Sequence, residues 1–157
     1  MASDADQHRR EPIVVRNMSR NERAVWVELW NGYLSFYETE LSDDIKNATW
    51  ARLHDPNEPM YLLAACLGGR VVGIAHYLFH RSCWTVGNYC YLQDLFVTAE
   101  ARGQGVGATL IRAVEEAARA AGASRIYWLT KEDNHAARAL YDKLAQRSGF
   151  IQYRKLF

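Results

Sequence analysis

The stretch Arg102-Gly103-Gln104-Gly105-Val106-Gly107 follows the apolar run Tyr91-Leu92-Gln93-Asp94-Leu95-Phe96-Val97 and leads into a helical pattern that ends at Gly122. A strand, a tight turn and glycines opening a helix form an arrangement that receives phosphates. The first turn of a helix leaves backbone N–H groups unpaired and carries a partial positive charge. Gly103, Gly105 and Gly107 lack a Cβ, so an anion can come close to the backbone. Arg102 can add a charge-assisted hydrogen bond. The stretch therefore predicts a bound diphosphate.

Spacing narrows the ligand. A nucleotide-hydrolase phosphate loop needs Gly-x4-Gly-Lys followed by Ser or Thr, and the chain has no Gly-Lys pair. A dinucleotide-binding turn needs Gly-x-Gly-x-x-Gly at the start of a βαβ unit. Here the glycines fall as Gly-x-Gly-x-Gly, after several earlier elements. The pattern that fits is Arg/Gln-x-x-Gly-x-Gly/Ala, met by Arg102, Gly105 and Gly107.

At these residues the chain resembles the GNAT superfamily of acetyl-CoA-dependent N-acetyltransferases. The flanking order carries the match: the run Tyr91 to Val97 before the turn, a helix from Leu110 to Ala121, and Ile126-Tyr127-Trp128-Leu129 as the next strand. Asn134-His135-Ala136-Ala137-Arg138-Ala139-Leu140-Tyr141 and Gly149-Phe150 complete it. The resemblance covers residues 12 to 156 and is closest to the small diamine/polyamine-type branch. It implies an α/β (α+β) fold: a mixed, mostly antiparallel twisted sheet of six to seven strands, with about four helices on both faces. The parallel fourth and fifth strands splay to hold acetyl-CoA. This chain has Gln93 where that branch usually has Glu.

Composition agrees with a globular protein. At 157 residues and 49% hydrophobic content, one domain with one core is expected over residues 12–157, after a polar, disordered tail at 1–11. Net charge of +1 argues against nucleic-acid or anionic-membrane binding through bulk charge. The longest mostly apolar run, Met60 to Gly69, is too short to span a bilayer, and no apolar secretion segment is present. Cys66, Cys83 and Cys90 are odd in number and irregularly spaced, which points to a cytoplasmic, reducing compartment. No Cys/His spacing suggests a metal site.

Along the chain, Pro12–Arg16 reads as a strand, and Ser19-Arg20-Asn21-Glu22 as a capping box. The helix that follows carries Val25, Trp26, Leu29, Trp30, Tyr33 and Tyr37 at three- and four-residue spacing. A second helix starts near Ser42 with Ile45, Thr49 and Leu53, and Asp55-Pro56-Asn57 stops it. Met60–Leu67 and Arg70–Phe79 flank Gly68-Gly69 as a hairpin. Tyr89–Val97 is the fourth strand. Val106, Leu110, Ile111, Val114, Ala117 and Ala121 give the third helix one buried stripe. Arg125–Thr130 is the fifth strand, parallel to the fourth because a helix crosses between them. The last helix starts at Asn134 and buries Ala137, Leu140, Tyr141 and Leu144. Phe150–Leu156 reads as a final strand.

The resemblance assigns roles. Splayed strands leave backbone groups for the pantetheine amides, at Leu95, Phe96 and Val97. The diphosphate falls on Arg102, Gly103, Gln104, Gly105, Val106, Gly107 and Ala108, and the Leu95–Phe96 N–H groups can stabilise a developing oxyanion. Asn134, Ala137, Arg138 and Tyr141 complete the coenzyme side. Transfer is direct, by amine attack in a ternary complex, with Tyr141 as the general acid that serves the departing thiolate. Base assignment stays open. Gln93 cannot ionise but can hydrogen-bond an amine or a water. Asp94 is adjacent, and strand alternation sends neighbours to opposite faces, so both serve one site only if a bulge breaks the alternation.

For the acceptor, the resemblance implies a primary amine of a small molecule, either diamine/polyamine or amino-acid-like. Glu38, Glu40, Asp43 and Asp44 with Tyr33 and Tyr37 suit a cation, and ordinary helix-start acids are the competing account. His76 and His80 share a strand face and can line the acceptor side or serve the core. A homodimer fits the architecture. Acetylation of a protein amine, a non-catalytic acyl-CoA-binding module and an interaction protein remain open alternatives.

Overall fold

The computed structural model describes residues 11–157. The expected tail at 1–11 lies outside the described residues apart from Glu11. In chain order the elements are β1 (Val14–Asn17), α1 (Arg23–Phe36), α2 (Asp43–Leu53), β2 (Met60–Leu67), β3 (Arg70–His80), β4 (Tyr89–Val97), α3 (Val106–Ala120), β5 (Arg125–Tyr127) and α4 (His135–Leu144). One sheet runs in the order β1-β2-β3-β4-β5, antiparallel except for the β4–β5 pair.

Local chemistry explains most boundaries. The capping box forms: Oε2 of Glu22 accepts from the Ser19 N–H at 2.8 Å, and Arg16 pairs with the same carboxylate at 2.7 Å. It opens a short 3-10 turn, Arg20–Glu22, that runs into α1. Ser42 caps α2 by accepting from the Ile45 N–H. Gly68 and Gly69 both have positive φ, at 57° and 77°, the conformation a two-residue hairpin turn demands.

The helices cover the sheet on two sides. On one face Trp26, Leu29, Trp30 and Leu34 of α1 and Trp50 of α2 pack on Leu62, Ala64 and Ile74. On the other, Val106, Leu110, Ile111, Val114 and Ala118 of α3 pack on Ala65, Val72, Ala75, Tyr77, Cys90 and Leu92. Leu140, Tyr141 and Leu144 of α4 join this second core, half-buried. Full burial of Trp26 makes it the largest anchor of the first core, and removing a side chain of that class costs about 3–5 kcal/mol.

Several expectations are corrected. Among the described residues the sheet has five strands, not six to seven. Phe150–Leu156 forms no ladder, the edge strand β5 is only three residues long, and Phe150, Ile151, Tyr153 and Leu156 remain exposed. The fifth strand stops at Tyr127, short of Thr130. In α2 the core position belongs to Trp50, whose ring lies 5.1 Å from that of Trp26, while Ile45 stays half exposed. In α3 the stripe closes with Ala118, and Ala121 is exposed beyond the helix end.

Candidate active site

Two features of β4 build the site. Its parallel pairing with β5 covers only Tyr89, Cys90 and Tyr91, against Arg125, Ile126 and Tyr127. Beyond Tyr91 the strands part, and β4 continues alone on that side to Val97. The backbone of Leu95, Phe96 and Val97 therefore borders an opening on the β5 side.

The second feature is a bulge. Opposite β3, Tyr77 pairs with Leu92 and His76 with Asp94, so Gln93 has no partner. One extra residue in one strand shifts the alternation. Cys90 and Leu92 point into the α3-side core, and so do Leu95 and Val97, whereas Phe96 packs with the α1-side core. The switch falls between Gln93 and Asp94 and turns both toward the α1 side. This meets the condition under which the two can serve one site. Gln93 is exposed, and the Asp94 side chain is 14% exposed.

Asp94 has a partner from the neighbouring strand: Nδ1 of His76 lies 3.1 Å from its Oδ2. Nε2 of His76 accepts from Nε1–H of Trp26 at 2.9 Å. Tyr33 stands on the same side. Burial first, and then the charge of Asp94, push its phenol well above the ordinary value. An aromatic ladder continues along α1: Trp30 stacks on Tyr33 with centroids 4.9 Å apart, and Tyr33 meets Tyr37 at 4.9 Å. Nζ of Lys131 lies 5.3 Å from the Tyr37 ring. Glu38, with φ at 53°, and Glu40 are exposed just past the end of α1.

The turn between β4 and α3 has the geometry its glycines allow. Gly103 and Gly105 have φ of 74° and 90°, the left-handed region, and open space lies where a Cβ would stand. Gly105 is the N-cap, so the first amides of α3, from Val106 through Ala108, have no carbonyl one turn back. Gly107 instead sits against α4, where a Cβ would touch Leu140 at 3.5 Å. Nε of Arg102 donates to the Val97 carbonyl at 3.1 Å, and Gln104 donates to the Glu100 carbonyl at 3.0 Å.

On α4, Tyr141 is half-buried with its ring edge-on to Trp128 at 5.4 Å. Burial, with Tyr37 as a smaller contributor, pushes its phenol up to about 12. Asn134 spends both ends of its amide locally: Oδ1 accepts from the Ala137 N–H, and Nδ2 donates to Thr130. Arg138 donates to the Glu132 carbonyl. His80 sits at the far end of β3, where Nδ1 donates to the Arg81 carbonyl and Nε2 accepts from the Tyr127 hydroxyl, both at 2.7 Å. It lies four positions from His76, roughly 13 Å along a strand. Sequence reasoning missed Trp30 as part of the site wall, although its spacing to Tyr33 and Tyr37 marks one helix face. It missed Lys131 because a loop residue has no periodicity to follow.

Among the described residues no group of three or more His, Cys, Asp or Glu is arranged to hold a metal ion, and no helix is long and apolar enough to cross a membrane.

Comparison with known proteins agrees with this geometry. Residues 23–145 match the model of the acetyltransferase (GNAT) family. The chain is 34% identical over 145 residues to the D-amino-acid N-acetyltransferase HPA3 of Saccharomyces cerevisiae, covering 91% of this chain and 90% of that protein. It is 28% identical to the thialysine N-epsilon-acetyltransferase of Caenorhabditis elegans, covering 77% and 78%. The fold superposes with a TM-score of 0.79 and 19% identity on AAC(6')-Iy in complex with the bisubstrate analog CoA-S-monomethyl-acetylneamine, covering 93% of this chain and 99% of that one. A glycine turn opening α3, a strand pair that parts beside it and a family match across both place the chain in the GNAT acetyltransferase family, as an N-acetyltransferase.

Proposed function

We propose that residues 12–157 form one domain that binds acetyl-CoA along the end of β4 and the start of α3, and acetylates the primary amine of a small, amino-acid-like molecule in a ternary complex. Acetyl-CoA supplies the activated acyl group when bound. The free β5-side backbone of Leu95 to Val97 suits the pantetheine amides. The left-handed turn from Arg102 to Gly105 and the first amides of Val106, Gly107 and Ala108 suit the diphosphate. Ala137 and Arg138 lie on α4, whose Leu140 stands against Gly107 of that turn.

The acceptor class rests on one arrangement. An aromatic ladder of Trp30, Tyr33 and Tyr37 has the Asp94 carboxylate beside Tyr33 and the Lys131 ammonium beside Tyr37. A molecule that carries both an ammonium and a carboxylate matches those opposite charges; a diamine matches only one of them. The names of the two relatives above, a D-amino-acid and a thialysine acetyltransferase, support the same class. Asp94 then receives the ammonium and Gln93 hydrogen-bonds it or a water.

Tyr141 acts as a hydrogen-bond donor to the departing sulfur. With its phenol near 12 and a thiol near 8.5, complete proton transfer to a thiolate is uphill by roughly 5 kcal/mol, so hydrogen bonding is its main contribution. The three cysteines are free, with Cys66 and Cys90 buried and Cys83 exposed, which supports a reducing, cytoplasmic setting. The exposed apolar side chains from Phe150 to Phe157 support a homodimer; sedimentation of the full chain as a monomer at micromolar concentration would remove that part.

The deciding experiment is a thiol-release assay across D- and L-amino acids, thialysine, diamines, polyamines and an aminoglycoside, with mass detection of the products. Amino acids should give the highest kcat/KM. A preference for diamines or polyamines would overturn the amino-acid reading and return weight to Glu38 and Glu40.

A further inference from the structure

His76 is only 5% exposed and is hydrogen-bonded at both ring nitrogens. Indole Nε1–H is a donor with no acceptor capacity, so Nε2 of His76 must present its lone pair to Trp26. The ring hydrogen then resides on Nδ1 and points at Oδ2 of Asp94. Trp30 stands edge-on to the imidazole at 4.7 Å and Trp26 lies at 6.0 Å, so aromatic rings confine it from α1. A ring flip would set C–H groups against both the indole N–H and the carboxylate. A second proton, on Nε2, would set N–H against N–H.

We propose that Trp26 holds His76 in its Nδ1–H tautomer, and that His76 thereby fixes the orientation of the Asp94 carboxylate at the acceptor amine. His76 is a positioning residue: it acts through Asp94 and touches no reacting atom. An imidazole confined by buried rings supplies a donor whose direction cannot drift. The inference rests on the reading of Asp94 as the acceptor-side carboxylate.

The test combines a spectrum of the unmodified chain with three variants. In histidine-15N-labelled protein, the nitrogen shifts of His76 should report the Nδ1–H tautomer; an Nε2–H tautomer or a doubly protonated ring overturns the proposal without any mutation. Asparagine carries its amide nitrogen near the place of Nδ1, whereas glutamine carries its own near Nε2. H76Q should therefore raise the amine KM about tenfold or more, the scale of one lost hydrogen bond to a charged group, with the acetyl-CoA KM unmoved. H76N should recover most of that loss, because it keeps a donor to Asp94. H76Q indistinguishable from the parent, or H76N as impaired as H76Q in folded protein, overturns the proposal. D94N separates the layers: if it leaves the amine kinetics untouched, the reading of Asp94 fails; if it impairs them while H76Q does not, only the role of His76 fails.

Discussion

Gly32 of α1 lies against the ring of Phe96 of β4 so closely that a Cβ at position 32 would stand 2.6 Å from Cζ and 3.0 Å from Cε1. Helix α1 thus rests directly on the β4 segment that we propose receives the pantetheine arm. Gly32→Ala would gain up to about 1 kcal/mol of helix propensity yet must displace the Phe96 ring. We expect little change in Tm and a fall in kcat/KM of up to about a hundredfold, the scale of a 1 Å misplacement in a site. Unimpaired kinetics in G32A would show that the ring moves without disturbing the strand.

Asp94 and Gln93 should contribute unequally. Asp94 is held by His76, whereas Gln93 is the exposed, unpaired residue of the bulge. Asp94→Asn should lower kcat/KM for the amine by about a hundredfold or more, the scale of a lost acid–base group. Gln93→Glu should change it far less. Steady-state kinetics on both variants decide the point, and the reverse ranking would make the bulge residue the principal group.

Tyr141→Phe should leave CoA affinity intact by calorimetry while lowering kcat by tens-fold, within the range of general-acid contributions. The phenol, pushed up to about 12 by burial, stays protonated through the physiological range, so no alkaline limb in kcat below pH 9 should come from it. Equal turnover in Y141F would leave Tyr141 only the role of packing on Trp128.

Alkaline pH should destabilise the fold. Burial pushes Cys90 up to about 11, from 9.0, and Tyr77 up to about 12, from 10.0; Tyr33 and Tyr141 shift the same way. Each group keeps its proton longer when folded than when unfolded. The stability they contribute is complete below pH 9 and is lost as pH rises from there toward 12. Melting temperatures between pH 8 and 11 should fall progressively, with the steepest loss above pH 9. A flat profile would contradict the burial of these groups.

Much of this was legible in the sequence because it depends on short-range rules. The β4 boundaries, the hairpin across Gly68-Gly69, the capping box at Ser19 and Glu22, and the glycine turn into α3 follow from backbone geometry within a few residues. Spacing alone also separated the Arg102–Gly107 turn from nucleotide-hydrolase and dinucleotide-binding loops. The strand expected at Phe150–Leu156 does not form, for the complementary reason: alternation describes one chain segment, while a strand also needs an edge long enough to pair with.

Tertiary structure decided the rest. Alternation predicts opposite faces for Gln93 and Asp94, and only their register against His76 and Tyr77 reveals the bulge that joins them. Trp26 and His76 are 50 residues apart, and His76 and Asp94 are 18 apart, so no local pattern links the three. Sequence determined which backbone groups would be free at the start of α3, because steric limits on φ and ψ act locally. Folding decided which side chains meet at Asp94, because burying Trp26 under the sheet brings its indole N–H to His76, the one histidine buried among the described residues.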